Sequence, residues 1–169
     1  WKKIKDMALK GRRTGLGITA EGDMLAALGL RYGSDKALKF AVEVHKTLAV
    51  EAYRASVMMA RDRGAFGVFD AEKEKGNPMI ERLRNADPSL YEDMLKYGRR
   101  NIAMLTIAPT GTTSLMSQTT SGIEPVFRPV YKRRRKINPN DQNVVATFVD
   151  EQGQAFEEYN VYHHKFIDW

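Results

Sequence analysis

Cysteine is absent from this chain of 169 residues. Disulfides and thiolate metal sites are therefore excluded, and the fold has to rest on packing alone. Long apolar runs are missing as well. None approaches the roughly 18–20 residues that a membrane-spanning helix needs, and the opening WKKIKDMALK lacks the apolar core of a signal peptide. No membrane contact and a cytoplasmic location are the expectations. What is present is ordinary for a globular protein: 43% hydrophobic and 28% charged residues, enough for one domain with a real core.

The net charge of +6 favours anionic ligands, without choosing between nucleotide phosphate, nucleic acid and an acidic partner. Much of the excess lies in residues 2–13 and in the block KRRRK at 132–136. That block reads either as a nucleic-acid patch or as a solvated strand or loop of a larger assembly. The second reading is preferred, because charge runs discriminate poorly. Only Tyr131 flanks the block closely, which falls short of the aromatic interleaving of a single-strand binding surface.

Residues 101–114, NIAMLTIAPTGTTS, carry the most chemistry. The apolar run at 102–108 reads as a buried strand. Pro109 and Gly111 punctuate its end, and Leu115 and Met116 are the first apolar positions of a helix. A strand, a hydroxyl-rich loop and a helix start are the parts that hold an anion: free N–H groups point outward, and the dipole favours negative charge by roughly 0.3–1 kcal/mol. Hydroxyls add donors, and a glycine permits close backbone approach. The alternative is an ordinary turn and N-cap without a ligand. The loop is neither a Walker A motif, lacking Gly-Lys-Ser/Thr, nor a dinucleotide fingerprint, having one glycine where three are needed.

Elsewhere the sequence predicts mainly helices. Residues 1–11 read as the tail of an element, and TGLGIT at 14–19 as a short buried strand or a tight loop. A short helix spans 21–28, stopped by Gly29. Ser34 caps a long helix running to Arg63 and ended by Gly64, with Leu38, Ala41, Val42, Leu48, Ala49, Ala52, Ala55, Met59 and Ala60 largely on one face. RGAFGVFD at 63–70 is a turn with aromatic anchors. Short amphipathic segments follow, broken by Pro78 and Pro88, the last opening at Asp87-Pro88 and closing at Gly98. Residues 121–125 form a turn into an extended segment at 126–131. A strand at 144–149, a hairpin turn at 150–153 and a further strand at 155–159 complete the chain. Glu124 looks buried beside the loop, where it orients the loop, caps a helix or pairs with Arg128; the local structural roles are preferred. His45 lies near the long helix, and a single histidine in such a place reads as structural. His163 and His164 point to different sides of any regular element, which disfavours a shared metal.

APTGTTS, followed by SGIEPVF at 121–127, resembles the late catalytic-barrel segment of a ribonucleotide reductase large subunit, most closely the adenosylcobalamin-dependent class II. RRTGLGITAEGDMLAALGLRYGS at 12–34, VYKRRRKINPND at 130–141 and EEYNVYHHKF at 157–166 agree, so the resemblance covers nearly the whole chain. It implies an α/β fold, the C-terminal part of a ten-stranded α/β barrel. The barrel portion would span 1–130, and a small mixed extension, basic strand and hairpin, would span 131–169. It further implies that the loop grips the phosphates of a ribonucleotide substrate through Pro109, Thr110, Gly111, Thr112 and Thr113, with Ser114 beside them.

The missing cysteines now matter a second time. In the family a cysteine thiyl radical abstracts a ribose hydrogen, and a cysteine pair reduces the 2′ position. Neither is present, nor is the loop Asn-Pro-Cys-Gly-Glu. The resemblance therefore implies a fragment, inactive alone, with no catalytic residue and no metal ligand of its own. Its implied partners are the ribonucleotide, the remainder of the reductase chain, a thioredoxin-like or other dithiol reductant, and a second copy in a homodimer. Adenosylcobalamin would serve the complete enzyme, with no site identifiable here. The alternative from another class is a basic anion- or nucleic-acid-binding module without catalysis.

Overall fold

The computed structural model describes residues 1–138, 140, 141 and 143–166. Along the chain come helices α1 (Lys2–Gly11), α2 (Glu21–Ala27), α3 (Asp35–Arg63), α4 (Ala71–Glu74), α5 (Pro78–Ala86), α6 (Pro88–Tyr97) and α7 (Gly111–Ser117). Strands β1 (Val130–Lys136), β2 (Phe148–Val149) and β3 (Ala155–Tyr162) follow. These pack as two units. Trp1–Ile18 and Leu30–Pro109 make the first; Thr19–Gly29 and Thr110–Trp169 make the second. Among the described residues no helix is long and apolar enough to cross a membrane.

The first unit is helical, and its helix starts are written in the sequence. The Ser34 hydroxyl accepts the Ala37 amide at 3.3 Å, and Gly64 closes α3 with its amide on the Ala60 carbonyl at 2.7 Å. Proline opens both α5 and α6, where its missing N–H costs nothing, behind the caps Asn77 and Asp87. Tyr53 and Val57 of α3 meet Ile80, Leu83, Leu90, Met94 and Met104 in one core.

The expected stripe of α3 is covered only in part: Ala60 is buried and Ala52 packs against the core. Ala37, Tyr53, Ser56, Val57 and Ala60 are buried, whereas Leu38 and Val42 are 55% and 61% exposed. A 3.6-residue period marks a stripe along the whole helix, but α5 and α6 cover only its C-terminal half.

Asp87 does more than cap α6. Its carboxylate accepts the Leu90 amide at 2.9 Å and the Ser89 hydroxyl at 2.8 Å, and it pairs with Arg54 of α3. Together these hold its carboxyl down from 3.8 to about 2. A lowered folded value stabilises the folded state above the unfolded value, and that contribution is lost as pH falls through the folded one. Urea midpoints of the chain should therefore drop between about pH 4 and pH 2. Asp87→Asn should flatten that part of the pH curve.

Residues 102–108 do not form the expected buried strand. They are extended, with one parallel bridge, Leu16↔Leu105. The Leu16 amide donates to Met104 O at 2.7 Å and the Thr106 amide to Leu16 O at 2.9 Å. Met104 is buried, but residues 106–109 are exposed. Parallel strands are buried only when neighbours cover both faces, and the described residues of this unit supply a neighbour along one edge. TGLGIT is that neighbour, an extended loop.

Before this segment sits a buried polar cluster. Arg99 is 4% exposed. Its guanidinium contacts Glu74 at 2.8 Å and donates to the carbonyls of Asn101 at 3.1 Å and Ile102 at 3.3 Å. The rings of Phe66, Tyr53 and Phe69 lie 5.4, 5.7 and 6.0 Å from its centre. Burial pushes the Tyr53 hydroxyl up, against the opposing pull of Arg99. Ser56 donates to Asn101 Oδ1 at 2.9 Å and accepts the Asn101 amide at 3.1 Å.

The second unit holds α2, α7 and an antiparallel sheet of order β1-β3-β2. β1 pairs with β3 from Val130↔Tyr162 to Lys136↔Phe156. The expected extended segment at 126–131 thus starts late, at Val130, and runs through KRRRK. The expected strand at 144–149 contracts to Phe148–Val149. The hairpin turn is as expected: Gly153 adopts φ 75°, and Asp150 Oδ1 accepts the amides of Gln152 and Gln154. α2 lies against the chain at 122–125. A Cβ on Gly22 would stand 2.3 Å from the Glu124 carbonyl oxygen, and the Glu21 amide donates to Gly122 O at 3.2 Å.

Candidate functional site

The loop picked out from the sequence leads into α7. Pro109 and residues 111–113 are exposed, while Thr110 is half-buried and Ser114 buried. The Ser114 amide closes the first turn on the Thr110 carbonyl at 2.7 Å. Among the described residues, nothing accepts the amides of Gly111, Thr112 and Thr113. A Cβ built on Gly111 meets no atom within 4 Å, so the space before these amides is open. Leu115 and Met116 lie inside α7 but are 80% and 83% exposed.

The hydroxyls divide differently. Ser114 donates to the Gly111 carbonyl at 2.8 Å. Thr19 Oγ donates to the Thr120 carbonyl at 3.1 Å, which uses its only hydrogen. Thr110 must then be the donor in the 2.9 Å contact between the two threonine hydroxyls. The Thr110 oxygen also accepts the Gly122 amide at 3.0 Å. Its hydrogen is committed to the protein. The outward donors are therefore the three main-chain amides and the exposed Thr112 and Thr113.

Sequence reasoning missed what holds this loop. Asp23 Oδ2 accepts the Thr120 amide at 3.1 Å, and the Asp23 amide donates to Thr120 Oγ at 3.4 Å. Asp23 Oδ1 faces His163 Nε2 at 3.5 Å, both side chains being largely buried. His163 Nδ1 accepts the Lys165 amide at 3.2 Å. Ala20, between Thr19 and α2, stands in the left-handed region at φ 67°, a conformation costing about 1–2 kcal/mol for a residue with a Cβ. These partners lie up to 140 residues apart in sequence, from Asp23 to His163, so local pattern carries no signal for them.

The remaining candidates resolve into structure. Glu124 is exposed rather than buried, and no ion pair to Arg128 occurs among the described residues. His163 is half-buried and His164 exposed. No group of three or more metal-binding side chains forms among the described residues. His45 lines an apolar groove of the first unit with Leu16, Val50, Leu83 and Leu105. The KRRRK block is a strand in which three of the five cations face acids. Arg134 contacts Glu158 at 2.6 Å, Arg135 contacts Glu157 at 3.0 Å and Asp141 at 3.6 Å, and Lys132 reaches Glu158 at 3.5 Å. The bond from Arg134 holds the Glu158 carboxyl below its usual range. Arg134 also lies 3.7 Å above the Phe148 ring. The three cations so matched are less available to a phosphate backbone, which weakens the nucleic-acid reading.

A vitamin B12-dependent ribonucleoside-diphosphate reductase of Mycobacterium tuberculosis is 33% identical over 132 residues, covering 78% of this chain and 16% of that protein. A protein of the same description from Thermoplasma acidophilum is 31% identical over 133 residues, covering 78% and 15%. The ribonucleoside-diphosphate reductase subunit alpha of Treponema pallidum is 29% identical over 133 residues, covering 74% and 15%. This chain thus spans about one sixth of the length of these relatives. The ribonucleotide reductase barrel domain, a family of α/β fold, matches residues 1–162. The chain belongs to the ribonucleotide reductase barrel-domain family.

Proposed function

We propose that this chain is the substrate-positioning part of a ribonucleoside-diphosphate reductase, which converts ribonucleotides to deoxyribonucleotides by radical chemistry. Residues 1–130 would contribute the C-terminal portion of a ten-stranded α/β barrel, and residues 131–169 its basic hairpin extension. Pro109, Thr110, Gly111, Thr112, Thr113 and Ser114 would form the loop that receives the substrate's phosphates. The observation that carries this reading is the open, unengaged set of amides at Gly111, Thr112 and Thr113 in a chain of this family. Amide and hydroxyl donors suit phosphate oxygens, and fixing the phosphates fixes the ribose. Such positioning can supply several kcal/mol of a barrier without any bond-making by the positioning group.

The chain has no cysteine, so thiyl chemistry and the reducing thiols would come from the remainder of the reductase, recharged by a thioredoxin-like or other dithiol. On this reading the chain is inactive alone and works in the cytoplasm as part of a homodimeric enzyme. Adenosylcobalamin, the radical source suggested by the B12-dependent relatives, would serve the complete enzyme.

Gly111→Val tests the loop. Its side chain meets no protein atom within 4 Å at Cβ, so the fold should persist while the space before the amides is filled. ADP binding to the chain, followed by calorimetry, should be abolished. Unchanged affinity in the folded variant would end the phosphate-cradle reading. Replacing Arg133, Arg134 and Arg135 together should leave ADP affinity unchanged.

A further inference from the structure

Chain order hides what the register of β1 on β3 assembles. Side chains along a strand alternate between the two faces of a sheet. Tyr131 pairs with Val161, Arg133 with Tyr159 and Arg135 with Glu157, so these six residues share one face. Lys132 and Arg134, met by Glu158, project from the other. On the first face Arg135 is held by Glu157 and Asp141. Arg133 is exposed and, among the described residues, has neither an ion pair nor a side-chain hydrogen bond. Two rings open to solvent flank it, Tyr159 directly opposite at 38% exposure and Tyr131 two positions along at 45%. Their diagonal placement separates them by about 7–8 Å. Tyr131 also lines a depression of about 590 Å3 with Phe127 and Arg128. Phe127 is 89% exposed, and Arg128, like Arg133, has no ion pair among the described residues.

We propose that this face binds single-stranded nucleic acid, with bases stacking on Tyr131, Tyr159 and Phe127 and phosphates meeting Arg133 and Arg128. An aromatic face accepts any base, so stacking adds affinity without sequence readout. A guanidinium meets a phosphate through paired N–H donors. An apolar protein partner would bury these two cations without an anion, which is costly. A single strand brings the matching charge with each base. A duplex keeps its base faces inside the stack and offers this surface only phosphates. No residue of the 109–114 loop takes part, so the two readings fail separately.

Fluorescence anisotropy of a labelled oligothymidylate of about 12 nucleotides tests this on the full chain. The single strand should bind, with affinity falling as salt rises, and its duplex with oligodeoxyadenylate should bind about tenfold more weakly or worse. Tyr131→Thr and Tyr159→Thr keep strand propensity but lose the ring, and each should weaken binding about tenfold. Tyr159→Phe keeps the ring and should match the parent. Arg133→Gln and Lys132→Gln remove the same charge from opposite faces of the sheet. Only Arg133→Gln should weaken binding about tenfold, and since Arg133 holds no partner in the protein, amide spectra should show its sheet intact. No binding by the parent, equal affinity for the duplex, full affinity in both threonine variants, or equal losses in the two glutamine variants each overturns the proposal.

Discussion

Arg99→Ala is expected to destabilise the first unit by about 3–5 kcal/mol, the cost of leaving a buried charge without its partner. The Glu74 carboxylate, with its side chain 13% exposed, would face the vacated space. The carbonyls of Asn101 and Ile102 would lose their donors, and three aromatic rings would lose the plane they pack against. Arg99→Lys should recover little, because one ammonium cannot reach a carboxylate and two carbonyls in the directions that a guanidinium fork does. Replacing Arg99 and Glu74 together by methionine should cost clearly less than Arg99→Ala, since no charge is then stranded. Urea unfolding of the four proteins measures this directly. A loss below about 1 kcal/mol in Arg99→Ala would mean that the cluster is solvated and the pair contributes little.

Gly22→Ala should be nearly as damaging, and its sign is the informative part. Gly22 sits inside α2, where alanine normally stabilises by about 1 kcal/mol. Its Cβ would instead come 2.3 Å from the Glu124 carbonyl oxygen and 2.8 Å from Pro125 Cα. Both are backbone atoms, which cannot swing aside as a side chain would. Displacing them is expected to cost about 3 kcal/mol and to pull the Gly122 carbonyl from the Glu21 amide. Gly111→Ala is the matched control, because open space surrounds its Cβ. It should fold as well as the parent. Thermal melts and amide spectra of the two variants give the comparison, and equal stability would show that α2 does not approach residues 122–125 so closely.

Much of the helical unit was legible because its signals are local. Ser34 and Gly64 bound α3, and proline at the first positions of α5 and α6 follows Asn77 and Asp87, each within a few residues of the structure it sets. The Asp150–Gly153 turn is equally self-contained. What failed depended on distant partners. The stripe through Leu38 and Val42 has the right period but no cover over its N-terminal half, where these two residues stand exposed. The run at 102–108 has strand composition, yet pairing is a property of neighbours, and it shows one bridge.

At the proposed site, the sequence could not show how two of the loop's hydroxyls are used. Thr110 and Ser114 look identical in kind to Thr112 and Thr113. Only the arrival of Thr19 and Gly122 decides that the Thr110 hydrogen is committed, and only the helix geometry turns Ser114 back on Gly111. Arg99 and Asp23 escaped notice because a charged residue is taken as exposed until its partners are known.

The ladder between β1 and β3 changes where this molecule is electrically positive. Lys132, Arg134 and Arg135 form local dipoles with Glu157, Glu158 and Asp141, whose fields fade quickly with distance. Lys2, Lys3, Lys5 and Lys10 line exposed positions of the first helix with Asp6 as the acid among them. Three of the five cations in the chain's most conspicuous basic run are thus spent on neighbouring acids, while the lysines of its opening turns stand in solvent.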